Sequence, residues 1–263
     1  MPNARRADAP RTVFITGASS GIGAALASHY AAQGANVGVF ARRSAELDPL
    51  VSAGANERVV PYVGDVRDAA ALARAAADFV ARFGAPYIVI ANAGISQGTL
   101  TEHAADLPIF QAVLDTNVQG VVHTFQPFLA ALKAARRGTL VGIASVAGFR
   151  GLPGAGAYSA SKAAAITYLE SLRVELRGSG IAVVTICPGY VATPMTARNP
   201  YRMPFLLEAD RAARLIARAI ERRRRFYVLP WQMALVGRVL RVLPRPLYDV
   251  LFARAPRKPR RPD

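Results

Sequence analysis

Residues 12–31 read TVFITGASSGIGAALASHYA, a short apolar run, a turn carrying Gly17, Ser19, Ser20, Gly21 and Gly23, and then an alanine-rich stretch of helical character. Three glycines between a strand and a helix are informative because of that context. Glycine permits the tight turn and the close approach of a diphosphate, and free backbone N–H groups at the helix start can bind its oxygens. The stretch predicts a dinucleotide-binding turn.

Working outward, short apolar runs recur at residues 36–40, 59–63, 87–91, 140–144 and 181–187, each bounded by Gly, Pro, Asp or Asn. Helical stretches such as 22–33 and 69–83 lie between most of them. Strands alternating with helices imply a parallel sheet covered on both faces, and right-handed crossovers make it doubly wound. The expected class is therefore α/β, a single Rossmann-fold domain. Its expected bounds are 12–230, after a flexible N-terminus over 1–11 and before an amphipathic helical segment over 231–254 and a flexible basic tail over 255–263.

The chain has 263 residues, 52% hydrophobic and 19% charged, which excludes a disordered or fibrous protein. A single cysteine, Cys187, excludes an intrachain disulfide and a four-cysteine zinc site, and His29, His103 and His123 lack ligand spacing. No metal is expected, and a reducing, cytoplasmic setting is. The first residues lack the apolar run of a signal peptide, and no stretch reads as a transmembrane helix.

The net charge is +16, and residues 222–263 hold twelve basic and two acidic side chains, an excess of ten that leaves six for the other 221 residues. A helix over about 232–243 would bring Arg238, Arg241 and Arg245 onto one face and cover the rest with Met233, Leu235, Val236, Val239, Leu240, Val242 and Leu243. Three roles fit it: packing over the substrate pocket or sheet, contact with an anionic membrane surface with Trp231 near the interface, or a partner-protein surface. No zinc finger, RNA-recognition module or aromatic-basic array accompanies the charge, so specific nucleic-acid binding is not expected.

Asp65, at the end of the third strand in YVGDV, can accept a hydrogen bond from an adenine amino group or cap a helix. Asn92, Ala93 and Gly94 end the fourth strand, where small residues let a cofactor lie against the backbone. The second strand ends in Ala41, Arg42 and Arg43 with no carboxylate before Glu46. An acidic residue there binds ribose hydroxyls in NAD sites, whereas an arginine accommodates a 2′-phosphate, so NADP is favoured over NAD. Arg42 is the better candidate, and Arg43 also reads as a solubilising surface residue.

Tyr158 and Lys162 in AYSASKAAAITYLESLRVEL are four residues apart on one helical face. A free phenol titrates near pH 10, so it needs a stabilised anion to act as a base. Lys162 supplies that charge and can hold a ribose hydroxyl, Ser145 at a strand end can position a carbonyl or hydroxyl, and Asn117 can support a proton relay.

In order and separation these motifs resemble the short-chain dehydrogenase/reductase family from Thr12 to about Tyr227: TGASSGIG at 16–23, Asp65, NAG at 92–94, Asn117, Ser145, YSASK at 158–162 and PGYVATPM at 188–195. The resemblance implies that Tyr158 donates or accepts the proton, Ser145 orients the reacting oxygen, and Lys162 lowers the tyrosine pKa while holding the nicotinamide ribose. It implies a proton relay through Asn117 and assigns Ile22, Val66, Pro188, Gly189, Val191 and Thr193 to the cofactor. It also implies a homodimer or homotetramer, with helices around 106–135 and 158–177 at the interface. Ala91 departs from the pattern, since many members carry a second asparagine before NAG.

The expected activity is NADP-dependent hydride transfer between nicotinamide and a carbonyl or alcohol. Phe149, Leu152, Met195, Met203, Phe205 and Leu206 suggest an apolar substrate, with residues 194–207 looping over the site. A non-catalytic cofactor-binding regulator is the competing class, and the intact set Asn117, Ser145, Tyr158 and Lys162 argues against it.

Overall fold

The computed structural model describes residues 11–53 and 58–260. Along the chain run β1 (Thr12–Thr16), α1 (Gly21–Ala32), β2 (Asn36–Ala41), α2 (Asp48–Ala53), β3 (Val59–Val63), α3 (Ala69–Phe83), β4 (Ile88–Ala91), α4 (Leu107–Leu114), α5 (Gly120–Phe125), α6 (Leu129–Ala135), β5 (Gly138–Ile143), α7 (Gly156–Glu175), β6 (Ile181–Pro188), α8 (Ala209–Glu221), β7 (Phe226–Leu229), α9 (Trp231–Val242) and α10 (Arg245–Phe252). The strands form one parallel sheet in the order β3-β2-β1-β4-β5-β6-β7. This is a single Rossmann-type α/β domain. The strand order reverses between β1 and β4, and the crevice beyond their carboxyl ends is where such sheets bind ligands.

Both faces of the sheet are buried, so its strands are apolar on both sides. In β1, Val13 and Ile15 join a cluster with Leu26 and Tyr30 of α1 and Ile216 of α8, while Phe14 points to the opposite cluster with Phe79 and Phe128. Phe14 lies opposite Gly38 in the ladder, and a Cβ on Gly38 would come within 2.7 Å of the Phe14 ring. The bare glycine leaves room for Phe14 to meet Phe79 edge-on at 5.5 Å. Asp68 starts α3 by accepting a hydrogen bond from the Ala71 N–H at 3.0 Å.

The stretch 106–135, which the family resemblance implies to be helical, is interrupted. A π turn over Asp115–Gln119 separates α4 from α5, and a 3₁₀ turn over Gln126–Phe128 separates α5 from α6. Pro127 has no N–H to continue the ladder. The π turn carries Asn117.

The carboxyl-terminal segment differs from a single helix with three arginines in register. Helix α9 ends at Val242, and Arg245 opens α10 beyond Pro244. Only Met233 and Gly237 of α9 are buried, whereas Trp231 is 72% and Val242 80% exposed. No helix among the described residues is long and apolar enough to cross a membrane.

Candidate active site

The crevice at the switch point is lined by Gly17, Ser19, Ser20, Gly21, Ile22, Arg42, Arg43, Asp65, Val66, Asn92, Ala93 and Gly94 at one end. Ser145, Tyr158, Lys162, Pro188, Gly189, Val191 and Thr193 line the rest. The turn after β1 depends on its glycines. Gly17 has φ +68°, and a Cβ on Gly23 would lie 2.2 Å from the Gly17 carbonyl oxygen. Ser20 precedes α1 without a capping side-chain hydrogen bond, and the first turn has no acidic residue. The helix start thus offers backbone N–H groups beside a turn kept bare at its glycines, which fits a dinucleotide diphosphate.

Asn92 lines the crevice and also braces it. Its amide donates to the carbonyls of Thr16 at 3.1 Å and Gly17 at 3.0 Å, tying the end of β4 to the glycine turn. Asp65 accepts from the Arg67 guanidinium at 2.7 and 3.0 Å, and that pairing holds its carboxyl below the ordinary value. The two arginines after β2 differ. Arg43 pairs with Glu46 at 2.6 Å, whereas no carboxylate among the described residues pairs with Arg42. Arg42 remains open to an anion.

At the other end, the face of α7 brings Tyr158 and Lys162 together, with the Lys162 Nζ 5.8 Å from the Tyr158 ring centroid. Lys162 Nζ donates to the Ile143 carbonyl at 2.8 Å, and burial pushes it down to about 8. Burial raises the Tyr158 phenol above its ordinary value, and the neighbouring Ser145 hydroxyl opposes that rise without reversing it. Ser145 stands between β5 and a 3₁₀ turn over Val146–Gly148, and its Oγ accepts from the Ala147 N–H at 3.1 Å.

Asn117 is held on three sides. Its Oδ1 accepts from the Ile95 N–H at 2.8 Å, and its Nδ2 donates to the Ile95 carbonyl and to Ser161 Oγ, both at 2.9 Å. Ser161 in turn donates to the Tyr158 carbonyl at 2.8 Å. Sequence reading missed Ser161, although its position three residues after Tyr158 was a usable signal.

The apolar substrate residues separate. Met195 reaches the crevice, while Phe149 stacks on Phe226 at 6.0 Å and packs under Gly237 of α9. Phe205 and Leu206 are half exposed, and a bridge between Val191 and Leu207 pins the base of the 194–207 loop.

A serine, a buried lysine and a partly exposed phenol at the end of a dinucleotide-shaped crevice can orient a carbonyl and exchange a proton with it. Residues 11–202 match the family model described as short chain dehydrogenase. The chain belongs to the short-chain dehydrogenase/reductase family. This short-chain dehydrogenase/reductase is 41% identical over 246 residues to an uncharacterized oxidoreductase of Myxococcus xanthus, covering 93% of this chain and 97% of that one. Its fold is similar to a short-chain dehydrogenase/reductase of Burkholderia phymatum in complex with NAD, with TM-score 0.79 and 26% identity over 97% of this chain and 99% of that one. It is also similar to an alcohol dehydrogenase of Thermococcus sibiricus complexed with 5-hydroxy-NADP, with TM-score 0.74 and 26% identity over 83% and 94% of the two chains. The short-chain dehydrogenase/reductase is an oxidoreductase that uses a nicotinamide dinucleotide.

Proposed function

We propose that the chain is an NADP-preferring carbonyl reductase for an apolar ketone or aldehyde, with secondary alcohol oxidation as the reverse reaction. The observation that carries this is the pair of chemistries at the two ends of one crevice, the unpaired Arg42 and the set Ser145, Tyr158 and Lys162. When bound, the nicotinamide supplies or accepts the hydride. Ser145 holds the substrate oxygen, and Tyr158, kept protonated by its burial, gives it a proton. Lys162 holds the ribose and places positive charge beside the phenol. Asn117, locked by Ile95 and Ser161, fixes the π turn behind them. Arg42 meets the 2′-phosphate.

Titration with NADPH and NADH, followed by turnover over ketones, aldehydes and quinones of graded size, tests this reading. Tighter NADPH binding and turnover lost in Tyr158→Phe are expected. NADH preference would remove the role of Arg42, and cofactor binding without turnover of any carbonyl would favour a non-catalytic regulator.

The carboxyl-terminal helices extend the reading to location. Leu235, Val239, Val242, Leu247, Val250 and Leu251 are exposed on α9 and α10 among Arg238, Arg241 and Arg245. An apolar face bordered by cations suits peripheral contact with an anionic membrane surface. Co-sedimentation with phosphatidylserine vesicles, lost at high salt and in Val242→Glu/Val250→Glu, is the expected result. Equal recovery with neutral vesicles would argue against it, and a dimer or tetramer burying this face would account for the exposure instead.

A further inference from the structure

Beyond α10 the chain returns to the catalytic tyrosine. Residues 255–260, which composition alone reads as a flexible basic tail, lie across two bare backbone positions. A Cβ on Gly98 would sit 2.3 Å from the Lys258 carbonyl oxygen, and one on Gly154 would sit 2.8 Å from the Arg257 Cβ. The Gly98 N–H donates to the Pro259 carbonyl at 3.1 Å. Arg260 grips Asp106 through both carboxylate oxygens, at 2.8 and 3.1 Å, and Asp106 is 5% exposed and also accepts from the Leu100 N–H. A bidentate pair of this kind fixes direction as well as distance. The strap is therefore anchored on both sides of Lys258.

Lys258 projects from this strap beside the catalytic ring. Its Nζ lies 5.7 Å from the Tyr158 ring centroid and donates to Ser96 Oγ at 2.6 Å. Two ammonium groups thus flank one phenol, but they differ in setting. Lys162 lines the dinucleotide crevice and donates to a backbone carbonyl, whereas Lys258 is not among the residues that line it. No carboxylate among the described residues pairs with Lys258, and burial without such a partner pushes it down to about 8. Ser96 accepts from Lys258, and among the described residues its own hydroxyl proton is not donated elsewhere. The ammonium and the hydroxyl place two donors together beside the Tyr158 ring.

We propose that Lys258 and Ser96 bind an anionic group of the substrate, so that the preferred carbonyl compounds are apolar oxo acids with the carboxylate a few bonds from the reacting carbonyl. This rests on the reading of Tyr158 as the proton donor to a carbonyl. A strap bearing the anion anchor makes specificity a property of the carboxyl terminus, remote in sequence from the residues that perform the reaction.

Calorimetric titration of the full-length, NADP-loaded protein with 3-phenylpropanoate and 3-phenylpropanamide tests the proposal without requiring turnover. The acid is expected to bind about tenfold more tightly than the amide, with that preference lost in Lys258→Met and largely kept in Lys258→Arg. Equal binding of acid and amide by the native chain, or an unchanged preference in Lys258→Met, would overturn it. So would equal weakening of both probes in Lys258→Met, which would make the lysine a fastener of the strap. A chain that binds the acid through Lys258 yet oxidises no NADPH with any carbonyl compound would instead overturn the reductase reading.

Discussion

Asn117 and Ser161 are joined by a 2.9 Å hydrogen bond that ties the π turn between α4 and α5 to helix α7, which carries Tyr158 and Lys162. Both side chains are fully buried, and Ser161 passes the connection on to the carbonyl of Tyr158. The tyrosine is thus located from behind by an asparagine that lies 41 residues earlier in the chain. π turns recur where a helix must present a side chain at a functional site.

Ser161→Ala leaves one Asn117 N–H without an acceptor in a dry site. The variant is expected to lose about 1–3 kcal/mol of stability. Turnover should fall roughly ten- to a hundredfold as the π turn shifts against Tyr158. Denaturant unfolding and steady-state kinetics measure the two effects, and a variant with native turnover would show that Asn117 needs no such support.

Arg42→Ala tests the cofactor end. Because no carboxylate among the described residues pairs with Arg42, its removal costs the site a cation that was available to a phosphate. NADPH affinity should fall about tenfold while NADH affinity changes little. Arg43 is already paired with Glu46, so Arg43→Ala should have the smaller effect. Fluorescence titration with both cofactors reads the ratio, and equal losses for NADPH and NADH in Arg42→Ala would refute the phosphate role.

Lys162 and Tyr158 make opposite demands on pH. Burial lowers Lys162 to about 8, so its charge is present below that pH and lost above it. Affinity for NADPH is expected to fall as pH rises through about 8, with the inflection abolished in Lys162→Met and retained in Lys258→Met. Tyr158 shifts upward, so the phenol stays protonated through neutral pH and favours reduction there, whereas alcohol oxidation, which needs the phenolate, should accelerate toward alkaline pH. A pH-independent NADPH affinity between 7 and 9.5 would show that Lys162 does not titrate in this range.

The elements that repeat with a local period were legible in the sequence. The glycine turn, the strand beginnings at Thr12, Asn36, Val59 and Ile181, and the Tyr158–Lys162 face all follow from spacing and from the φ that glycine permits. What escaped depends on partners far apart in the chain. The π turn at Asn117 is paid for by Ile95 and Ser161, and the amide of Asn92 is held by the carbonyls of Thr16 and Gly17. The carboxyl terminus was least legible, because the fit of Pro259 on Gly98 and of Arg260 on Asp106 leaves no periodic signature.

Gly237 explains how α9 bears on the active site from its outer side. A Cβ there would come within 2.4 Å of the Phe149 ring, so the helix and the ring meet face to backbone. Phe149 ends the 3₁₀ turn that Ser145 begins, and Arg241 of the same helix covers the ring at 4.6 Å. Gly237→Leu must therefore displace either α9 or Phe149, at a cost of about 1–3 kcal/mol for overpacking. Displacing Phe149 also moves the Ser145 turn, so turnover should fall together with the melting temperature. Phe149→Ala vacates the space that the leucine needs, and the double variant Gly237→Leu/Phe149→Ala should recover part of both losses relative to Gly237→Leu alone. Strict additivity of the two substitutions in thermal unfolding and in turnover would mean that α9 does not support Ser145 through this contact.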